Sequence, residues 1–152
     1  MPGFDEYGKQ LLAEVSDGEF QHWHNRADRS IVYPPGGMTA EVDGVIDPDI
    51  AVEISAVNEK QLRAAILDLA MHPFPRKLLI VNLGGWTNKR RDAQTLQATC
   101  ELLLQRLASL QSSLSTRCVV AVVSGVDREK DAASLRACLR MVKNRQPGTR
   151  PT

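Results

Sequence analysis

The period of the apolar positions changes several times along the chain, and each change marks an element. Phe4, Tyr7, Leu11, Leu12 and Val15 fall at helical spacing, which predicts an amphipathic helix over 4–15, ended by Asp17–Gly18. Residues 30–33 read as a short strand stopped by Pro34–Pro35–Gly36–Gly37. Residues 39–46 and 50–57 read as two strands of a hairpin around the turn Asp47–Pro48–Asp49. Asn58 offers an N-cap with Gln61 three residues on, and Leu62, Ile66, Leu69 and Ala70 then form one helical stripe ending before His72–Pro73. Residues 77–83 are a compact apolar strand closed by Gly84–Gly85. From Asp92 onward, Ala93, Leu96, Cys100, Leu103, Leu104, Leu107 and Leu110 give the clearest helical stripe in the chain. A buried-type strand over 117–124 follows, then a helix over 128–143 that buries Ala132, Leu135, Leu139 and Val142.

The predicted order is α-β-β-β-α-β-α-β-α. A hairpin feeding a helix and then an apolar strand implies a mixed sheet with a right-handed crossover between its parallel members. The fold class expected is α/β, a three-layer sandwich with helices on both faces of the sheet. At 152 residues the chain fits one domain, over 1–143, with residues 144–152 as a mobile basic tail.

Composition narrows the class. With 43% apolar and 24% charged residues, the chain is too apolar to remain disordered. Its longest nearly uninterrupted apolar stretch, 118–126, is too short to span a bilayer, and no basic-then-apolar leader opens the sequence. Three cysteines (Cys100, Cys118, Cys138) without CxxC spacing argue against disulfides and structural zinc, and for a reducing, cytoplasmic setting.

The net charge of +1 conceals a division. Residues 1–59 hold three cations against twelve carboxylates, and residues 60–152 hold sixteen cations against six. The division fits an acidic site beside a basic face, as a metal-using enzyme acting on a polyanion needs. It fits equally two halves that pack together and neutralise each other.

The carboxylates of the hairpin carry the sharpest chemistry. With Pro48 central to the turn, paired positions sum to about 96, which sets Asp43 opposite Glu53 and Glu41 opposite Ser55. Side-chain alternation puts these four on one face with Val45 and Ala51, and Val42, Ile46, Ile50, Val52 and Ile54 on the other. Directly opposed like charges destabilise a sheet unless a cation lies between them. Mg²⁺ takes one or two protein carboxylates and leaves its other positions to water and phosphate. The alternative is a half-wet hairpin whose repulsion a nearby arginine relieves.

The segments Glu41-Val42-Asp43-Gly44-Val45-Ile46 and Ala51-Val52-Glu53-Ile54-Ser55, then the helix and Lys77-Leu78-Leu79-Ile80-Val81, resemble the core of the PD-(D/E)XK nucleases. The resemblance spans residues 4 to 83 and implies a restriction-endonuclease-like fold. It also implies a Mg²⁺-dependent DNA endonuclease, restriction-type action included, with Mn²⁺ as a substitute. Asp43 and Glu53 correspond to the acidic metal ligands, and the carbonyl of Ile54 completes the usual set. Pro48–Asp49 is literally a "PD", but Asp49 lies beside the turn and reads as a turn residue. Ser55 stands where the family usually has lysine, so Lys60, in the first turn of the next helix, is the natural replacement and Gln61 the second. Glu14 on the first helix is a candidate for a further carboxylate.

Trp86, Lys89, Arg90 and Arg91 follow a strand end, where three cations beside an aromatic suit phosphate contact and stacking on DNA. A solvated loop is the competing reading, although cations near the start of a helix oppose its dipole. His22–Trp23–His24 lacks a third ligand for zinc, and no phosphate-loop or nucleophile-elbow motif occurs. Cutting both strands of a duplex needs two sites, which implies a homodimer or a partner subunit. Two rival expectations stand beside the endonuclease: a non-catalytic nucleic-acid-binding or assembly module on the same fold, and a nuclease for branched DNA or RNA.

Overall fold

A computed structural model describes residues 4–22, 27–55, 58–85, 92–111 and 115–144. Trp23, Trp86, Lys89, Arg90, Arg91 and the basic tail from residue 145 lie outside these, so the nucleic-acid contacts expected from them do too.

Helix α1 (Phe4–Val15) ends as the periodicity predicts, with Asp17 and Gly18 both at positive φ. Strand β1 (Phe20–Gln21) follows, and then β2 (Ser30–Tyr33), β3 (Met38–Glu41), β4 (Gly44–Ile46) and β5 (Ile50–Ser55). Helix α2 (Glu59–Met71) leads to β6 (Arg76–Asn82), α3 (Ala93–Gln111), β7 (Arg117–Val123) and α4 (Arg128–Asn144). Five strands form one mixed sheet in the order β1-β4-β5-β6-β7, while β2 and β3 pair separately as a small antiparallel sheet. Strands β5, β6 and β7 run parallel, joined through α2 and α3, whereas β4 is antiparallel to β5.

The central strands are apolar because both their faces are covered. Ile50, Val52, Ile54, Leu78 and Ile80 pack against α1 and α4, in one core with Leu11, Leu12, Leu135 and Leu139. Ala51, Leu79, Val81 and Val120 pack against α2 and α3, in a second core with Leu62, Ile66, Leu69 and Leu104. The α/β class with helices on both faces is therefore as the sequence pattern predicts.

Three details differ. Residues 39–46 do not make one strand: the chain leaves the small sheet after Glu41 and enters the large one at Gly44. Glu41 consequently pairs with Ser30 rather than with Ser55, and Val42 joins the α2–α3 core instead of the face that holds Ile46. In α3 the buried row is Leu96, Cys100, Leu104 and Ala108, while Leu103 and Leu110 are exposed; the packed stripe repeats every four residues.

One border of the large sheet is β7. There the N–H of Val120 donates to Glu101 Oε1 (3.4 Å), and its carbonyl accepts from Gln97 Nε2 (2.7 Å). One turn further along α3, Gln105 Nε2 reaches the Thr116 carbonyl (3.3 Å) and hydroxyl (2.9 Å).

The two halves of opposite charge meet in ion pairs: Glu14 with Arg128, Glu19 with Lys143, and Asp49 with Arg76. The charge division thus has a packing role. Among the described residues no helix is long and apolar enough to cross a membrane.

Candidate functional site

The register Gly44↔Val52, Val45↔Ala51 and Ile46↔Ile50 has the predicted sum of 96. It carries Asp43 to the position facing Glu53, one step beyond the last ladder pair. Gly44 is required at this point, because a Cβ there would lie 2.4 Å from the Phe20 ring and 2.5 Å from the Gln21 carbonyl of β1. That close approach holds the strand entry in place and fixes Asp43 beside it.

Where the backbone ladder stops, the two acidic side chains continue it. The Asp43 N–H donates to Glu53 Oε1 at 2.9 Å, and the Ile54 N–H donates to Asp43 Oδ2 at 2.7 Å. Each carboxylate is thereby oriented by a backbone donor of the facing strand. Glu53 is buried, and Asp43 is half-buried.

A cleft of about 200 Å³ opens over this pair, lined by Asp43, Glu53, Ile54 and Ser55 from the sheet and by Gln61, Ala64, Ala65 and Asp68 from α2. Asn58 caps α2 as the sequence predicts, its side chain accepting from the Gln61 N–H at 2.9 Å. Gln61, Ala65 and Asp68 then follow at i, i+4 and i+7, so one row of the helix faces the cleft. Lys60 is exposed and does not line the cleft, since a step of one residue turns it about 100° away from that row. Gln61, the second candidate, does line it. Asp49 is engaged by Arg76, whose Nε lies 2.6 Å from Oδ1, and it too is outside the cleft. Glu14 binds Arg128 at 2.6 Å and takes no part in the cleft.

Asp68 is the carboxylate that the motif search missed. The Tyr33 hydroxyl donates to its Oδ1, so the small sheet orients a residue of α2. Burial first, and then this bond, push the Tyr33 phenol well above its ordinary range, which keeps it a donor.

The electrostatics of the cleft are dominated by crowded negative charge. Burial, and after it the Asp43 carboxylate, push Glu53 up to about 9; Asp68 acts in the same sense, while the Asp43 N–H and Arg29 act against it. The buried Arg29 donates to the carbonyls of Val42 (3.0 Å) and His22 (3.1 Å), with Glu41 3.8 Å away, and its effect on Glu53 is the smallest of the five. Ser55 Oγ is buried and has no hydrogen-bond partner among the described residues. Such an atom costs about 1–3 kcal/mol unless something fills its bonding position.

This donor set suits a hard divalent cation. Two carboxylates and a backbone carbonyl are the ligands Mg²⁺ accepts when water supplies the rest, and the unpartnered Ser55 hydroxyl in the same cleft suits one of those waters. Asp68 is not a third ligand: among the described residues no three His, Cys, Asp or Glu side chains gather closely enough to hold one ion. The three cysteines are free and buried or half-buried, and burial raises all three thiols. None is activated as a nucleophile. No family model matches this chain, and no curated protein or solved structure matches it.

Proposed function

We propose that this protein is a Mg²⁺-dependent DNA endonuclease built on a restriction-endonuclease-like core. The observation that carries the reading is the interlocked Asp43–Glu53 pair, buried across the β4–β5 hairpin beside the unpartnered Ser55 hydroxyl. Asp43, Glu53 and the Ile54 carbonyl would hold the ion, and Mn²⁺ would substitute. When bound, the ion lowers the pKa of a water and offsets charge on the scissile phosphate.

The remaining work falls to the chain itself. Ser55 Oγ positions the attacking water, donating to it or accepting from it, and Gln61 and Asp68 border the space it occupies. Asp68, held by Tyr33, supplies a carboxylate within the cleft that can accept a hydrogen bond from that water. Trp86, Lys89, Arg90 and Arg91 contact the DNA backbone, and two copies of the chain, or a partner subunit, cut the two strands.

The second reading is a non-catalytic nucleic-acid-binding or assembly module. One observation favours it: none of the described residues lining the cleft is a cation, so the charge that a motif lysine brings is missing. Incubation of supercoiled, linear, branched and single-stranded DNA, and of RNA, with protein and Mg²⁺ or Mn²⁺ distinguishes the readings. Cleavage by wild type that disappears with EDTA, and falls at least a hundredfold in Asp43→Asn and Glu53→Gln, supports the endonuclease. Cleavage confined to branched DNA or RNA transfers the assignment to a structure-specific or RNA nuclease. Binding of nucleic acid without cleavage of any substrate establishes the module.

A further inference from the structure

A second cleft lies under the other end of α2, and its floor is a buried lysine. Lys77 is 1% exposed, and it shares the α2–α3 face of β6 with Leu79 and Val81. Its Nζ donates to the carbonyls of Leu69 (2.8 Å) and His72 (2.6 Å), at the C-terminal end of α2. No carboxylate pairs with it among the described residues. The cleft holds about 320 Å³, and its walls mix apolar side chains, Val32, Met71, Phe74 and Ala108 among them, with the polar Gln111 and Thr116.

The geometry points to Lys77 as a nucleophilic amine that condenses with a small, uncharged aldehyde admitted through this cleft. A neutral amine has two hydrogens and one lone pair. The two carbonyls accept both hydrogens, so the third proton of the ammonium can leave without breaking either bond, and the lone pair is then free to attack. Burial favours that loss, lowering the amine to about 8.

The neighbouring groups act on this balance less than burial does, with Cys118 opposing it. His72 receives the Phe74 N–H on Nδ1 (3.1 Å) and faces the Asp28 carbonyl with Nε2 (2.5 Å), which fixes a neutral ring; burial lowers its pKa further. Cys118, paired with Lys77 across β6–β7, is kept a neutral thiol by burial, at about 11. With no second cation in the lining, an anionic aldehyde would find no partner there.

In the reaction the nitrogen lone pair forms a C–N bond to the carbonyl carbon. The oxygen leaves as water with the two amine hydrogens, and a proton from solvent completes the protonated imine. That imine keeps one N–H for the His72 carbonyl. The Leu69 carbonyl still accepts the His72 N–H at 3.3 Å, so no buried acceptor is abandoned.

The test is reductive trapping of the whole chain at pH 8 with limiting benzaldehyde and cyanoborohydride, each lysine being followed by peptide mass mapping. The expected result is alkylation of Lys77 at least tenfold faster than that of the exposed Lys60 and Lys130. Val32→Trp, at an exposed position on the cleft wall, should slow Lys77 at least fivefold and leave the other two rates unchanged. Alkylation of Lys77 no faster than Lys60 or Lys130 overturns the proposal and leaves the amine as a helix cap. So does a Lys77 rate indifferent to Val32→Trp.

Discussion

Helix α2 lies over two buried ionisable sites that are solvated in opposite ways. Along one row, from Gln61 to Asp68, the helix borders a cleft that already holds Asp43 and Glu53. At its C-terminal end it offers two carbonyls to Lys77. The cation therefore sits at the end of the helix whose partial charge is negative, where two of its three protons are met by carbonyls. The carboxylates receive one backbone N–H each from the facing strand but repel one another. They need a proton or a cation to coexist. A buried charge met by dipoles needs no counter-ion, and a buried charge without them is a demand for something from solvent.

The largest test of this contrast is truncation. Lys77→Ala should destabilise the protein by about 3 kcal/mol, because it opens a core cavity and removes a donor from the His72 carbonyl. The urea midpoint should fall with little change in slope. Glu53→Gln should be neutral or stabilising at pH 8 without metal, since it removes the group that must hold a proton; a loss as large as that of Lys77→Ala would refute the contrast.

The pH profiles come next, with opposite signs. Glu53 is raised in the folded protein, so between about 4.5 and 9 the native state binds more protons than the unfolded chain. Metal-free stability should then fall with rising pH by about 1 kcal/mol per unit relative to Glu53→Gln. Mg²⁺ should raise the melting temperature more at pH 8.5 than at pH 5.5. Lys77 is lowered, so between about 8 and 10.5 the unfolded chain binds more protons, and stability should rise with pH relative to Lys77→Met. Chemical denaturation across the pH range reads both slopes, and a difference slope of the wrong sign discards the corresponding assignment.

The smallest effect concerns the link between the sheets. Tyr33→Phe removes the donor to Asp68 and should cost about 1 kcal/mol, measurable as a small fall in the urea midpoint. Asn58→Ala, which removes the α2 cap, should cost about as much and serves as the comparison for a purely local loss.

The large features were legible because they rest on period and register. The helical stripes, the Asn58 cap and the sum of 96 across the hairpin all follow from local pattern, and the register brings Asp43 and Glu53 together. The break at Val42–Asp43 was not legible, because a strand that changes sheets keeps its alternation. Asp68 escaped notice for a related reason. It occupies the row next to the apolar stripe of α2, where a carboxylate reads as solvated surface, and only the packing of β2 and β3 shows otherwise. Gln61, Ala65 and Asp68 at i, i+4 and i+7 were the available signal. Lys60 was misplaced by about 100° of helix rotation, an angle fixed only once the stripe is docked. Lys77 opens an apolar strand and looks like its solvated end; its burial depends on where α2 stops.

The side chains that α3 lays along β7 govern assembly. By occupying the outward N–H and C=O of Val120, Glu101 and Gln97 remove docking points that a sixth strand would use, and Gln105 does the same near Thr116. This apolar edge is thus blunted against stacking into fibres at Val120 and Thr116. The pair of chains proposed above would accordingly join by another surface than β7.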